Sequence, residues 1–133
     1  MAAATLVSSQ ETTSVVPDTV RFWLRAEGAA ALVAAGVLYQ SFGGNWLFAI
    51  PLLLAPDLSA IGYVAGPWIG SFVYNLFHNW LIGLATLGLG FWLKSDLAIF
   101  AGIVLIGHVG MDRIAGYGLK HVTGFKDTHL QRA

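Results

Sequence analysis

Two long stretches without a charged residue constrain the fold of this chain more than any other feature. Lys, Arg, Asp and Glu are absent from Gly28 to Pro56 and again from Leu58 to Leu93. A transmembrane helix needs about 20 predominantly apolar residues, so each stretch can hold more than one membrane-spanning segment. The chain is 56% hydrophobic and 11% charged, with a mean hydropathy of +0.69. This composition indicates an integral membrane protein rather than a soluble domain.

Turn-forming sequences divide the apolar region into four segments. The sequences SFGGN (41–45), AGP (65–67) and KSD (94–96) leave segments at about 20–41, 45–65, 67–93 and 97–119. Backbone polar groups in lipid must be satisfied within the segment, and no segment alternates with the period of a strand. The sequence therefore predicts an all-α, four-transmembrane-helix integral membrane bundle over residues 20–119. Residues 1–19 are predicted to be a disordered N-terminal tail, and residues 120–133 a cytoplasmic juxtamembrane tail.

The distribution of basic residues predicts the orientation of the bundle. Four crossings place both termini on one side, and that side carries five basic residues: Arg21, Arg25, Lys120, Lys126 and Arg132. Lys94 is alone on the other side, so both termini are expected in the cytoplasm, which in a bacterium means the inner membrane. The expected partners are membrane lipids and a second copy of the chain as a homo-oligomer. Seven basic and seven acidic residues cancel, so no basic surface predicts nucleic-acid binding.

Polar residues inside the apolar segments are the candidates for a functional site. Glu27, Asp57 and Asp112 fall within predicted spans, where a lipid-facing charge costs about 2.5–3.5 kcal/mol. These carboxylates are therefore expected to face one another or water. In the fourth segment, His108 and Asp112 share a helix face, and Arg113 and Tyr117 share another. On a helical wheel the third segment has one polar stripe, which comprises Ser71, Asn75, His78, Asn79 and Thr86.

The predicted depths of these polar residues suggest that they meet. Six of them lie roughly 10–16 Å from the cytoplasmic end of their segments at the helical rise: Glu27, Asp57, Asn75, His78, His108 and Asp112. Pro51 and Pro56 also disturb the second segment immediately before Asp57. We therefore expect a polar cavity in the cytoplasmic half of the bundle. Its predicted ligand-binding residues are Glu27, Asn75, Arg113 and Tyr117, and its predicted catalytic residues are Asp57, His78, His108 and Asp112.

Several functions fit such a cavity. A divalent metal, Zn, Mn or Fe, would bind to His78, His108 and Asp112, with Asp57 beside them. The same residues fit acid/base chemistry on a small membrane-soluble ligand, or a hydrogen-bonded network that only fixes the helix register. A small ion, proton or solute transporter and an accessory membrane subunit are the non-catalytic alternatives. Whether the protein is an enzyme is left open by the sequence.

Several short sequences also resemble a known family. They are P-D-L-S (56–59), Y-N-x-x-H (74–78), H-x-G-x-D-R (108–113), G-Y-G-L-K (116–120) and F-K-D-T-H-L (125–130). Over residues 25–130 the chain resembles an uncharacterised family of small bacterial membrane proteins, domain of unknown function 4260. The resemblance implies a small multi-pass membrane protein without an assigned activity, substrate or cofactor. It also implies that Lys126, Asp127 and His129 fold back over the cavity, whereas charge alone predicts that the tail contacts anionic headgroups.

Overall fold

The computed structural model describes residues 17–123, 125–128 and 130, and this part of the chain is helical without a strand. It contains α1 (Asp18–Ser41), α2 (Trp46–Leu54), a 3₁₀ segment (Ala55–Ala65), α3 (Pro67–Phe77), α4 (Trp80–Leu93) and α5 (Asp96–Ala115). The all-helical prediction is confirmed. Residues 1–16 of the predicted tail, with His129 and Arg132, lie outside the described residues.

Helix α5 is the central element, and α1 and α4 pack against it. Ten of its twenty residues are buried, and a core cluster comprises Ala35, Tyr39, Ile99, Ile103 and Ile106. The α1–α5 contact is backbone to backbone, because a Cβ atom on Gly110 would lie 2.6 Å from the Gly28 carbonyl oxygen. Small residues at this crossing therefore permit the close approach that membrane helices use in place of a hydrophobic driving force.

The length and apolar surface of several helices are compatible with a membrane protein. Three helical stretches are long and apolar enough to cross a bilayer, and a fourth is added if α3 and α4, which are bent by 48°, form one span. Many large apolar side chains point outward, including Leu47, Ile61 and Val64 at 77%, 76% and 89% exposure. Soluble monomers rarely expose such continuous apolar surface.

The structure differs from the sequence-based segments at three places. Helix α1 begins at Asp18, inside the predicted tail, and the second segment changes from α-helix to 3₁₀ geometry after Leu54. The third segment is not one continuous helix, because α3 ends at Phe77 and α4 starts at Trp80. Asn79 starts α4 as a cap, accepting a hydrogen bond from the Ile82 amide at 3.0 Å, and so leaves the predicted polar stripe.

The chain after α5 folds back onto the 3₁₀ segment and α3. Lys120 and Thr128 form an isolated antiparallel bridge, and the His121 amide donates to the Asp127 carbonyl at 2.8 Å. The Phe125 ring packs edge-on against Tyr63 at 5.3 Å between centroids. We call residues 116–123 and 125–128 the C-terminal cap.

Candidate metal centre

Two irregularities in the helices each release a backbone carbonyl that orients one histidine. Leu53 lies in α2, two residues before the 3₁₀ segment, and in 3₁₀ geometry its carbonyl would pair with the amide of Pro56, which has no N–H. His108 occupies the vacated acceptor, and its Nδ1 lies 2.6 Å from the Leu53 oxygen. The proline therefore leaves the Leu53 carbonyl to an imidazole that is 55 positions away from Leu53 in the sequence.

The second histidine is oriented by the break between α3 and α4. At the end of α3 the His78 amide turns to the Asn75 carbonyl, at 3.3 Å, instead of continuing the α-helical pattern to Tyr74. The Tyr74 carbonyl is thereby accessible to the His78 side chain, whose Nδ1 lies 2.7 Å from it. The Tyr74 ring also stacks on the His78 ring, with centroids 3.6 Å apart and an angle of 12° between the planes.

These contacts define the tautomer of both histidines. A carbonyl oxygen can only accept, so the Nδ1 atom of each ring must carry the hydrogen. In the neutral form each Nε2 atom is then unprotonated and carries a free lone pair. Metal-binding histidines have the same arrangement, because their other ring nitrogen donates to a backbone carbonyl. The two Nε2 atoms face each other at 2.9 Å. Two facing lone pairs require a cation between them or nearby, either a proton or a metal ion.

A carboxylate joins the two imidazoles at the same point. Asp57 Oδ1 lies 3.4 Å from Nε2 of His78 and 3.4 Å from Nε2 of His108. All three ligand atoms lie within 4.8 Å of one another. For metal–ligand bonds of about 2.0–2.2 Å, ligand atoms are separated by about 2.9 Å at right angles and about 3.4 Å at the tetrahedral angle. The observed separations therefore fit one divalent ion.

Asp112 lies slightly farther from the two imidazoles than Asp57 does. Its Oδ2 is 3.9 Å from Nε2 of His78 and 3.8 Å from Nε2 of His108. The hydroxyl of Tyr74 is within 3.4 Å of the same oxygen. Asp112 is thus placed as a fourth ligand after a small side-chain movement, or as a carboxylate that contacts a metal-bound molecule.

Burial distinguishes the two sides of the cluster. His108 and His78 are 0% and 3% exposed, whereas the Asp57 side chain is 50% exposed. The imidazoles are therefore held inside the protein, and the cluster opens on the Asp57 side.

The C-terminal cap is attached beside the cluster by Asn75. The carboxamide donates to the Lys120 carbonyl at 2.8 Å and accepts from the Lys120 amide at 2.7 Å. Lys120 Nζ donates to the Phe125 carbonyl at 2.7 Å and lies 4.4 Å from the centroid of the Tyr74 ring. Burial lowers the pKa of Lys120, while the carboxylates of Asp112 and Asp57 oppose that shift. The Lys120 side chain therefore contacts the cap backbone and the Tyr74 ring.

The family comparison covers every residue of this centre. The chain belongs to the family described as Domain of unknown function (DUF4260), whose model matches residues 21–133. No curated protein and no solved structure matches the chain. Membership of this family confirms the resemblance but assigns no activity, so the chemistry must be argued from the geometry.

The sequence predicted eight site residues, and the structure brings five of them together. Asp57, His78, His108 and Asp112 form the cluster, and Asn75 holds the cap beside it. The other three lie elsewhere. Glu27 is exposed on α1, Arg113 is buried at the α1–α5 contact, and Tyr117 is 55% exposed beyond the end of α5.

Two contributors were missed by the sequence analysis. Tyr74 was named only within the Y-N-x-x-H pattern and not as a site residue, although its position four residues before His78 predicts a shared helix face. The Leu53 carbonyl could not be found from side-chain types, since its availability depends on the change to 3₁₀ geometry at Ala55.

Proposed function

We propose that this chain is an integral membrane metalloprotein whose Asp57, His78 and His108 bind one divalent transition-metal ion and act on a small membrane-soluble substrate. The observation that carries the proposal is the pair of Nε2 atoms 2.9 Å apart, each on a ring whose Nδ1 is engaged by a carbonyl. An imidazole pair with fixed tautomers, joined by a carboxylate, is the donor set of zinc, manganese and non-haem iron sites.

The ligand set supports catalysis as well as binding. Three protein ligands leave at least one coordination position open, which is typical of catalytic rather than structural metal sites. When bound there, the ion would supply a Lewis acid that acidifies water or polarises a substrate oxygen. Asp112 lies where it can accept a proton from a molecule at the open position, and Tyr74 donates a hydrogen bond to that carboxylate.

The surroundings of Asp57 support an apolar substrate. The neighbouring side chains Leu54, Leu58 and Ile61 are 48%, 75% and 76% exposed, so the open side of the cluster faces apolar surface. A crevice of about 340 Å³ is lined by Pro56 and Phe77, which are adjacent in sequence to two cluster residues, and by Leu97, Phe100 and Val104 among others. In this proposal the substrate dissolves in the bilayer and approaches the centre laterally.

The proposed orientation follows from the charges. The start of α1 and the end of α5 carry Arg21, Arg25 and Arg113, whereas the α4–α5 turn carries Lys94. By the positive-inside rule, we place the end that holds the start of α1 and the end of α5 in the cytoplasm, and the protein in an inner membrane. This orientation is part of the proposal.

Metal stoichiometry of untagged protein, with His78→Gln and His108→Gln variants, tests the proposal. Wild-type protein is expected to hold about one equivalent of Zn²⁺, Mn²⁺ or Fe²⁺, and each variant to lose binding by at least about tenfold. His121→Gln is the matched control, because this histidine lies in the C-terminal cap and should bind as wild type. Size exclusion and thermal melting in detergent show whether each variant is folded.

Two results would contradict the metal assignment. One is wild-type protein that holds less than roughly a tenth of an equivalent after exposure to each ion. The other is equal loss of metal in the His121→Gln control. A third combination would favour a purely structural network or an accessory-subunit role. In it the wild-type protein binds no metal, and of the three variants only His78→Gln and His108→Gln fail to fold.

Transport of the metal ion is a second candidate function, and the bend between α3 and α4 favours it. Helices broken inside a membrane often coordinate transported ions, and His78 ends α3 at a 48° bend. Metal-dependent flux into liposomes that is lost in Asp57→Asn would support transport. Metal binding without flux would support the catalytic proposal.

A further inference from the structure

A second polar site lies on the other side of α5, between the start of α1 and the end of α5. It is a crevice of about 270 Å³, lined by three arginines, Arg21, Arg25 and Arg113, together with Leu24, Ala115, Gly116 and Leu130. Among the described residues no carboxylate lines this crevice, although the Asp112 carboxylate lies close enough to Arg113 to interact with it electrostatically. We call it the arginine crevice.

The three guanidinium groups come from two helices and differ in exposure: Arg113 is buried and Arg21 half-buried, whereas Arg25 is exposed. Arg113 is 8% exposed and packs where α1 crosses α5, because a Cβ atom on Gly28 would lie 2.6 Å from its Cβ. Arg21 Nε is buried and has no hydrogen-bond partner among the described residues. Arg25 reaches the end of α5, since a Cβ atom on Gly116 would lie 3.5 Å from its Nη2.

This arrangement has the properties of an anion site. Three cations that share a small crevice repel one another, and a buried donor without a partner costs free energy. A phosphate group offers several acceptor oxygens in the geometry that the planar guanidinium fork matches. Arg21 and Arg25 are one helical turn apart, so both can contact the same group.

The position of the crevice identifies the source of the phosphate. Helices α1 and α5 are both candidate membrane spans, and the crevice lies where α1 begins and α5 ends. Phe22 and Trp23 on the same turn of α1 are 64% and 65% exposed, as expected for aromatic residues at a membrane–water interface. Basic pockets between transmembrane helices on the cytoplasmic side bind anionic lipid headgroups.

We propose that the arginine crevice binds the phosphate group of an anionic phospholipid headgroup. This inference rests on the membrane placement in the proposed function but does not require a metal, because none of the cluster residues Asp57, His78, His108 and Asp112 lines the crevice. The crevice would anchor one lipid of defined charge against the α1–α5 pair.

Native mass spectrometry of the delipidated full chain tests this inference, with phosphatidylglycerol and phosphatidylcholine as probes. Wild-type protein is expected to retain phosphatidylglycerol more strongly, and the Arg21→Gln and Arg25→Gln variants to lose about fivefold each. Lys126→Gln and Lys94→Gln each remove one cation outside the crevice and should bind as wild type. His78→Gln should also retain the lipid, which separates this test from that of the metal centre.

A parallel arm with inorganic phosphate distinguishes a lipid from a free anion. Binding of phosphate with no preference for phosphatidylglycerol would overturn the lipid assignment. Equal losses in the arginine variants and in Lys126→Gln would overturn it as well, because they would show only general charge attraction. Because Arg25 also lies against the end of α5, the melting temperature of Arg25→Gln is measured without lipid. A lower melting temperature with unchanged lipid binding would contradict the proposal.

Discussion

Replacement of Asn75 by Ala is expected to release the C-terminal cap from α3. The Asn75 carboxamide makes two hydrogen bonds to the backbone of Lys120, at 2.8 and 2.7 Å, and Ala removes both. Each such bond contributes about 0.5–1.5 kcal/mol, so the variant loses about 1–3 kcal/mol of cap attachment. That free energy corresponds to a roughly 5- to 150-fold larger population of the detached cap.

Amide hydrogen exchange measures this population directly. The Lys120 amide donates to the Asn75 carboxamide and should exchange faster in the variant by at least this factor, whereas the His121 amide donates to Asp127 within the cap and should change less. Asn45→Ala is the matched control, because Asn45 also bonds a backbone amide, that of Leu47 at 2.9 Å, but at the start of α2. Unchanged exchange at Lys120 in Asn75→Ala, or equal acceleration in the control, would refute the reasoning.

Three further outcomes follow from the same contacts. Tyr74→Phe removes the hydroxyl next to Asp112 and keeps the ring, so metal affinity should fall by about tenfold while the melting temperature is nearly unchanged. Unchanged affinity would show that the Tyr74 hydroxyl does not support the metal centre. Gly102→Ala places a Cβ atom 2.5 Å from the Leu87 nitrogen and should cost about 1–3 kcal/mol in detergent unfolding, whereas Gly88→Ala, with nothing within 4 Å, should cost none. Metal affinity should decrease as the pH falls from about 8 to about 5, because histidine binds metals as neutral imidazole, and a pH-independent affinity would contradict histidine ligation.

The sequence was most informative where a polar residue interrupts an apolar helix. His108 and Asp112 could be paired from their spacing, because an α-helix places every fourth residue on one face, and α5 is regular there. Asp57 and His78 could be proposed as partners because an ionisable group within a span must avoid lipid. These arguments require only helical periodicity and the cost of burying charge.

Depth in the membrane was a weaker guide, because it does not specify the direction in which a side chain points. Glu27 was placed in the cavity by depth, and Arg113 was assigned to it as a ligand-binding residue, but α1 packs on the Gly110 face of α5, and the cluster lies on another face. Helix packing of this kind depends on where glycines allow backbones to approach, and one helix alone does not reveal it.

The geometry that orients the histidines was also inaccessible from the sequence. The two carbonyls that engage Nδ1 belong to Leu53 and Tyr74, and both are available only because the backbone leaves α-helical geometry beside them. Pro56 predicted a disturbance, but not which distant side chain would use the released carbonyl.

X-ray absorption spectroscopy of zinc-loaded, untagged protein tests the metal centre most directly. The account predicts about one zinc per chain, with two imidazole nitrogens at about 2.0–2.1 Å and the remaining ligands oxygen. The imidazole signal should halve in His108→Gln. A first shell of oxygen atoms alone, or a spectrum that is unchanged in that variant, would contradict the assignment of His78 and His108 as metal ligands.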